Sequence, residues 1–249
     1  MNGRILGKKI DLDYNDIRRF FNERAVISKD KGLSTTMFGS EENAQKRNQR
    51  EIEILDEVFA KDCIHQVLDV GCGIGRLAEY SVKKGARYIG VDASEELVKI
   101  AKEKYLAKSH INFFNISATD LLQKDILSTQ FNLVLITAVF LYMNDVDCLD
   151  TLKQLNQILS TAPSPIIYLR EPVAIIGNRL TLKNFYSDDL KANYNAIYRT
   201  QEEYIEMFKL IFGEKFQLVS ADYLYDQSLH SQLETRHRYF VFKRNDRVK

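Results

Sequence analysis

Residues 67–75 read Val-Leu-Asp-Val-Gly-Cys-Gly-Ile-Gly, a short apolar run that ends in an acid and three alternating glycines. The apolar run predicts a buried strand, and residues 76–82 after the glycines can form a helix. Glycine tolerates a sharp turn, and without Cβ atoms the backbone N–H groups can approach a ligand closely. The stretch therefore predicts a nucleotide-type cofactor site between a strand and a helix.

The spacing of the glycines narrows the choice of cofactor. A dinucleotide fingerprint requires G-x-G-x-x-G. This chain has Gly71, Gly73 and Gly75, and Arg76 stands where the third dinucleotide glycine would pack helix against strand. NAD is therefore disfavoured as the cofactor. A P-loop is excluded, because no Gly-Lys-Ser/Thr follows the glycines.

A second apolar run ends in an acid further along the chain. Residues 88–94 read Tyr-Ile-Gly-Val-Asp-Ala-Ser, which places Asp92 23 positions after Asp69. A carboxylate at this distance from the glycine turn can accept hydrogen bonds from ribose hydroxyls. The two elements together are far more specific than either one alone.

These residues resemble the class I S-adenosylmethionine-dependent methyltransferase family. Its first motif is similar to residues 69–75, its ribose acid would be Asp92, and the resemblance is good over residues 65–170. Many members place an acid where Ser117 stands, so recognition of adenine by this side chain departs from the family pattern. The resemblance implies S-adenosyl-L-methionine as cofactor. The implied cofactor-binding residues are Asp69, Gly71, Cys72, Gly73, Gly75, Asp92, Ala93, Ser117, Ala118, Thr137 and Arg47.

The arrangement of apolar runs predicts an α/β fold. Strand-like runs at 67–70, 88–92, 111–115, 132–136 and 165–170 alternate with helical stretches, and 216–220 and 237–242 are two further strand candidates. This alternation predicts a Rossmann-like, doubly wound sheet of seven strands. The resemblance implies that the sheet is mostly parallel with an antiparallel last strand.

No linker or internal repeat divides the chain. Residues 61–249 are expected to form the methyltransferase domain, and 171–200 is long enough to form a substrate cap inserted in it. Residues 1–60 carry apolar patches at helical spacing and predict an N-terminal helical lid. The alternative, a helix that only packs on the sheet, is equally open.

Composition excludes several classes of function. The 249 residues carry 35 basic and 34 acidic side chains, so there is no overall attraction to nucleic acid or an anionic membrane. No run is long and apolar enough to span a bilayer, and the start lacks a secretory signal, which predicts a cytoplasmic protein. Three scattered cysteines predict neither disulfides nor a metal site. The oligomeric state stays open.

Candidate catalytic residues follow from topology, because open α/β sheets bind ligands at the carboxyl ends of their strands. Glu171 and Tyr142 follow predicted strands, and His230 falls in the turn between the last two. Each could orient the acceptor or take its proton. Each could equally be an ordinary loop residue, as Arg47 could be part of a solvated helix face.

The acceptor is constrained only by what the sequence lacks. Residues 137–140 read Thr-Ala-Val-Phe in place of the Asn/Asp-Pro-Pro-Tyr motif that resembling enzymes use on nucleobase or glutamine amides. Transfer to an O or N atom of a polar small molecule, such as a sugar or nucleotide-linked metabolite, is the favoured prediction. The alternatives are a methyltransferase acting on a protein or peptide amine and a noncatalytic protein that binds an adenosyl ligand.

Overall fold

A computed structural model describes residues 3–27, 32–123, 130–226 and 233–245 of the chain. The helices are α1 (Tyr14–Ile27), α2 (Glu41–Lys61), α3 (Ala78–Lys83), α4 (Glu95–Lys104), α5 (Asp145–Ile158) and α6 (Gln201–Phe212). The strands are β1 (Arg4–Leu6), β2 (Gln66–Val70), β3 (Arg87–Asp92), β4 (Ile111–Asn115), β5 (Leu133–Thr137), β6 (Ile166–Ala174), β7 (Leu180–Ser187), β8 (Ala192–Tyr198), β9 (Phe216–Tyr223) and β10 (Thr235–Arg244).

Seven strands form the main sheet, in the order β4-β3-β2-β5-β6-β10-β9. The first five strands in this order run parallel to one another, and β10 is antiparallel to both β6 and β9. The prediction of a doubly wound, mostly parallel sheet with an antiparallel last strand is therefore confirmed. The order of the strands reverses next to β2, which places its carboxyl end at a switch point where such sheets bind ligands.

Helices cover both faces of this sheet, as its apolar strands require. Every residue of β2 is buried, and its side chains alternate between two apolar clusters. Leu68 and Val70 join the cluster covered by α5 and α6, whereas Val67 joins the one covered by α2 and α4. Because β2 is enclosed in this way, the glycine turn after it starts from a rigid support.

The apolar stripe of α5 begins later than its sequence pattern predicts. Apolar residues recur at helical spacing from Val146 to Leu159 and predict Val146 in the core, but it is 75% exposed. It precedes the buried Leu152 by six residues, which turns it about 120° away from the buried face of the helix. Cys148 and Thr151 take the buried positions instead.

A second, three-stranded sheet stands beside the first, in the order β1-β7-β8. The sequence predicted no strand in the first ten residues and no strands in the cap. The predicted boundaries also differ from those observed, because α2 extends to Lys61 and β6 continues to Ala174 inside the main sheet. Residues from the predicted lid and the predicted cap therefore share one antiparallel sheet.

Helix α1 lies across the carboxyl ends of the parallel strands. Its Ala25 and Phe21 pack with Ile74, in the glycine turn. Its Asn22 accepts a hydrogen bond of 2.6 Å from the hydroxyl of Ser94, which follows β3. No helix in the described part of the chain is both long and apolar enough to cross a membrane.

Candidate cofactor and acceptor site

A cavity of about 1500 Å³ opens at the carboxyl ends of the parallel strands, between the main sheet, α1 and the three-stranded sheet. Most of the residues predicted to bind cofactor line it, and so does the catalytic candidate Tyr142. The predicted residues at its wall are Gly71, Cys72, Gly73, Asp92, Ala93, Ser117, Ala118, Thr137, Arg47 and Tyr142. One cavity therefore brings together side chains that the sequence spreads over almost 100 positions.

The glycine turn needs its glycines for two separate reasons. Gly71 and Gly73 have φ angles of +70° and +55°, a region that other residues adopt only with strain. A Cβ atom on Gly71 would also stand 2.3 Å from a methyl group of Val139, and one on Gly73 would stand 2.9 Å from a methyl group of Thr36. The absence of side chains thus creates a cradle at the cavity wall.

Asp92 closes this turn from the next strand. Its Oδ2 accepts a hydrogen bond of 2.9 Å from the N–H of Gly73, and its Oδ1 accepts one of 2.8 Å from the N–H of Ser94. Burial raises the pKa of Asp92 above its usual value, and these two N–H groups partly offset that effect. A carboxylate has about four lone-pair positions, so about two remain for a ligand in the cavity.

Asp69 and Gly75 lie behind the cavity wall, contrary to the prediction that they contact cofactor. The Asp69 carboxylate is buried and accepts a 2.5 Å hydrogen bond from the hydroxyl of Tyr88. Its burial raises its pKa to about 7. Gly75 is required because a Cβ there would lie 2.5 Å from the ring of Phe113. Both residues shape the turn from beneath.

Cys72 fills the space beneath the same turn. Its Sγ lies where a Cβ on Gly90 would approach to 2.8 Å, so the glycine of β3 makes room for the thiol. Burial raises the pKa of Cys72 well above its ordinary value, which leaves the thiol protonated. The residue is a packing group and has no nucleophilic character.

A buried charge cluster that the sequence did not predict lies beside Thr137. The carboxylate of Glu51, from α2, is fully buried and receives Arg170 at 3.0 Å and Arg76 at 2.7 Å. Both arginines line the cavity, and Arg76 also donates to the hydroxyl of Thr137 at 3.4 Å. The two guanidinium groups hold the pKa of Glu51 down to about 2, against the effect of burial. One positive charge is therefore left over at the wall.

Comparisons with known proteins agree with this geometry. Residues 67–162 match a family model described as a methyltransferase domain. The magnesium protoporphyrin IX methyltransferase of Synechocystis PCC 6803, crystallised with bound S-adenosylmethionine, superposes with a TM-score of 0.66 at 15% identity, over 96% of this chain and 100% of that one. The chain has the class I methyltransferase fold. The family-model match agrees with the resemblance carried by the motifs over residues 67–162.

Two further proteins are similar to this chain, one in structure and one in a stretch of sequence. The 1,6-didemethyltoxoflavin-N1-methyltransferase of Burkholderia thailandensis, solved with 1,6-didemethyltoxoflavin and S-adenosylhomocysteine, gives a TM-score of 0.65 at 14% identity over 98% of this chain and 96% of that one. A Geobacillus sp. (strain WCH70) protein provisionally named a methyltransferase is 44% identical over 64 residues. That match spans 25% of this chain and only 26% of the relative.

The adenine side predicted by the methyltransferase resemblance is an apolar slot with a polar rim. Leu97 and Ile116 are buried residues at its wall. The hydroxyl of Ser117 lies 3.0 Å from that of Thr119, and the carbonyl of Ala118 accepts a hydrogen bond from Thr151. The predicted Ser117 and Ala118 are thus at the wall, while these hydrogen bonds are made inside the protein.

Arg47 lies at the opposite side of the cavity from this slot. Its guanidinium donates a 2.8 Å hydrogen bond to the carbonyl of Phe38 and lies over the ring of Tyr225. Arg50, which lies one turn further along α2, is half exposed and pairs with Glu53. Of these two arginines, only Arg47 faces the cavity.

Aromatic rings form another part of the cavity wall. The hydroxyls of Tyr142 and Tyr194 are 2.9 Å apart, and Phe21 of α1 meets the ring of Tyr142 edge to face at 4.9 Å. Phe20 and Phe38 make similar contacts with Tyr194. Burial raises the pKa of the Tyr142 hydroxyl far above its usual value, so it is a proton donor and not a base at neutral pH.

The catalytic candidate Glu171 does not reach this wall. Glu171 is fully buried outside the cavity, where its carboxylate accepts hydrogen bonds from the N–H groups of Val139, Phe140 and Leu141. Burial raises its pKa to about 7 despite these bonds. His230 lies outside the described residues. His237, which the prediction did not select, lines the cavity from β10.

No group of three or more metal-binding side chains lies close enough to hold a metal ion in the part of the chain that the structure describes. The cavity has other means to bind a ligand: a backbone cradle, a carboxylate, a surplus positive charge and aromatic walls.

Proposed function

We propose that this protein is an S-adenosylmethionine-dependent methyltransferase acting on a polar small molecule. The observation that carries the proposal is the joint placement of the left-handed glycine turn, Asp92 and a group of aromatic side chains at the wall of one cavity. A nucleoside and an acceptor could lie end to end in this space.

The residues present fit the proposed cofactor part by part. The two remaining lone-pair positions of Asp92 match the two hydroxyls of a ribose. Leu97 and Ile116 offer apolar surfaces to an adenine ring. The surplus positive charge on Arg76 and Arg170 suits the methionine carboxylate, with Arg47 as the predicted second partner. Because Gly71 and Gly73 carry no side chains, the part of the cofactor between the ribose and the methionine carboxylate can pass close to the protein backbone.

When bound, the cofactor supplies an electrophilic methyl group on its sulfonium. The protein then has to hold the acceptor atom in line and keep water out, which can provide much of the acceleration. Helix α1 and the β7–β8 hairpin cover the cavity from two sides. The Tyr142 and Tyr194 hydroxyls can hydrogen-bond a polar acceptor, and His237 is the lining residue placed to accept a proton.

Transfer to an O or N atom of a small molecule is the finer part of the proposal. The acceptor end is enclosed by the β7–β8 hairpin and by Phe20 and Phe21, which suits a compact molecule better than a peptide chain. Aromatic faces beside hydroxyl groups fit a ring with polar substituents, such as a sugar or nucleotide-linked metabolite. A methyltransferase for peptide amines and a noncatalytic adenosyl-ligand binder are the competing proposals.

Replacing Asp92 with alanine should abolish most binding of the adenosyl ligand. Loss of hydrogen bonds between a carboxylate and two hydroxyls predicts a fall in affinity of about 100-fold. Titration calorimetry with S-adenosylhomocysteine measures this change. Glu95→Ala is the matched control, because Glu95 is an exposed acid three residues further along the chain. Equal affinity in wild type and Asp92→Ala would contradict the ribose assignment.

Radiolabelled methyl donor distinguishes the competing activities. The protein is incubated with the donor and with fractionated cell extract, separated into small molecules and peptides. Label in the small-molecule fraction supports the proposal, and label only in the peptide fraction supports the amine alternative. Ligand binding without transfer to either fraction would favour the noncatalytic binder.

A further inference from the structure

The turn after β5, residues 138–143, joins the two halves of the cavity. Val139 packs against Gly71 in the cofactor cradle. Three residues later, the ring of Tyr142 meets Phe21 of α1 and Tyr194 of β8. The path of this backbone therefore sets the distance between the cradle and the aromatic wall.

The turn enters through a strained backbone conformation. Ala138 has a φ angle of +59°, although it carries a side chain. Its N–H donates a 2.7 Å hydrogen bond to the carbonyl of Arg170. A non-glycine residue keeps such a conformation only when the surrounding structure over-determines it. Contacts with the surrounding protein must therefore fix the residues that follow Ala138.

Two buried side chains of opposite charge hold the polar groups of this turn. The Glu171 carboxylate accepts hydrogen bonds from the N–H groups of Val139 at 2.8 Å, Phe140 at 2.9 Å and Leu141 at 3.3 Å. Arg199, the residue directly after β8, donates to the carbonyls of Phe140 at 2.6 Å and Met143 at 2.7 Å. Both side chains are 0% exposed.

The arginine is itself fixed in place. Arg199 donates to Oδ1 of Asp145 at 2.7 Å, at the first residue of α5. Asp145 also pairs with Arg179 at 3.0 Å, just before β7. The turn is consequently bound on its N–H side to β6 in the main sheet, and on its carbonyl side to the three-stranded sheet and α5.

We propose that Glu171 and Arg199 are positioning residues, which lock the 138–143 turn so that Tyr142 stands at a fixed distance from the cofactor cradle. The effect on methyl transfer rests on the proposed function, whereas the effect on the backbone does not. Glu171 acts here through the turn and touches no substrate.

Three variants separate this role from simple stability and from proton transfer. Glu171→Ala removes both carboxylate oxygens that accept hydrogen bonds from the turn. Glu171→Gln keeps one carbonyl oxygen but cannot act as a base. Phe212→Leu, at the last residue of α6 and in the apolar core, is the control for general destabilisation. Amide hydrogen exchange of peptides covering 138–143 and of β2 is measured in the full-length protein, together with binding of S-adenosylhomocysteine.

Exchange in the turn should rise about tenfold or more in Glu171→Ala, beyond the change in β2 and beyond that in Phe212→Leu. Glu171→Gln should recover part of the protection. With a cell-extract fraction that accepts label as substrate, kcat should fall by a larger factor in Glu171→Ala than the affinity for S-adenosylhomocysteine does. Glu171→Gln should recover part of kcat.

Turn exchange in Glu171→Ala that matches Phe212→Leu would overturn the proposal, and so would a protected turn in Glu171→Gln with turnover as low as in Glu171→Ala. The second result would indicate a base. If wild type binds no S-adenosylhomocysteine, the proposed function fails, while the exchange measurement still tests the lock.

Discussion

Glu51→Ala is expected to lower the free energy of unfolding by about 3–5 kcal/mol, because it leaves two buried guanidinium groups without their counter-charge. Arg76 and Arg170 converge on this carboxylate, and their side chains are only 7% and 5% exposed. The same change removes the ion pairs that join α2 to Arg76, after the glycine turn, and to Arg170 in β6. Denaturant unfolding measures the loss as a shift in the transition midpoint.

Glu57→Ala is the matched control on the same helix. Glu57 pairs with Lys61 at 3.4 Å, but both side chains are 72% exposed, so its removal should change the free energy of unfolding by about 0.5 kcal/mol or less. Adding Arg170→Met to Glu51→Ala should restore part of the lost stability, because the double variant no longer buries the unpaired charge of Arg170. Equal effects of Glu51→Ala and Glu57→Ala would show that the cluster contributes nothing.

Gly71→Ala is expected to damage both stability and cofactor binding. An alanine would be strained at φ +70°, and its Cβ would overlap a methyl group of Val139 at 2.3 Å. Left-handed strain of about 1–2 kcal/mol and overpacking of about 1–3 kcal/mol together predict a loss of about 2–5 kcal/mol. Affinity for S-adenosylhomocysteine should fall at least about tenfold, because the displaced Val139 narrows the cradle.

Gly85 provides the control for backbone strain alone. Its φ is +88°, and nothing lies within 4 Å of a Cβ built there. Gly85→Ala should therefore show the strain of about 1–2 kcal/mol without overpacking, and should leave ligand affinity unchanged. If Gly71→Ala and Gly85→Ala behave alike in unfolding and binding, the close contact between the glycine turn and Val139 has no role.

The parallel core could be predicted because its information is local. Residues 67–75 and 88–94 carry apolar runs, glycines and acids in fixed order, and a buried parallel strand needs little else to be recognised. The positions of Asp92, Gly71 and Gly73 at the cavity wall followed from the same motifs. The small sheet was missed because β1 pairs with β7 across the whole domain, and Asn184 interrupts the regular alternation of β7 with a φ of +52°.

The charged parts of the site could not be predicted for a different reason. Glu51 lies in a helix rich in exposed charges, and its partner Arg170 is 119 positions away. A sequence shows neither which charges are buried nor which backbone groups they serve. Glu171 was expected after the fifth predicted strand, but it lies within β6, and its carboxylate turns toward the N–H groups of 139–141 and not toward the cavity.

The most direct measurement is a crystal structure of the wild-type protein soaked with S-adenosylhomocysteine. We expect the ribose hydroxyls within about 3 Å of the Asp92 carboxylate, and the amino-acid chain running over Gly71 and Gly73 toward Arg76. A ligand bound elsewhere, or a cavity that stays closed by side chains at saturating ligand, would contradict the assignment of this turn as a cofactor site.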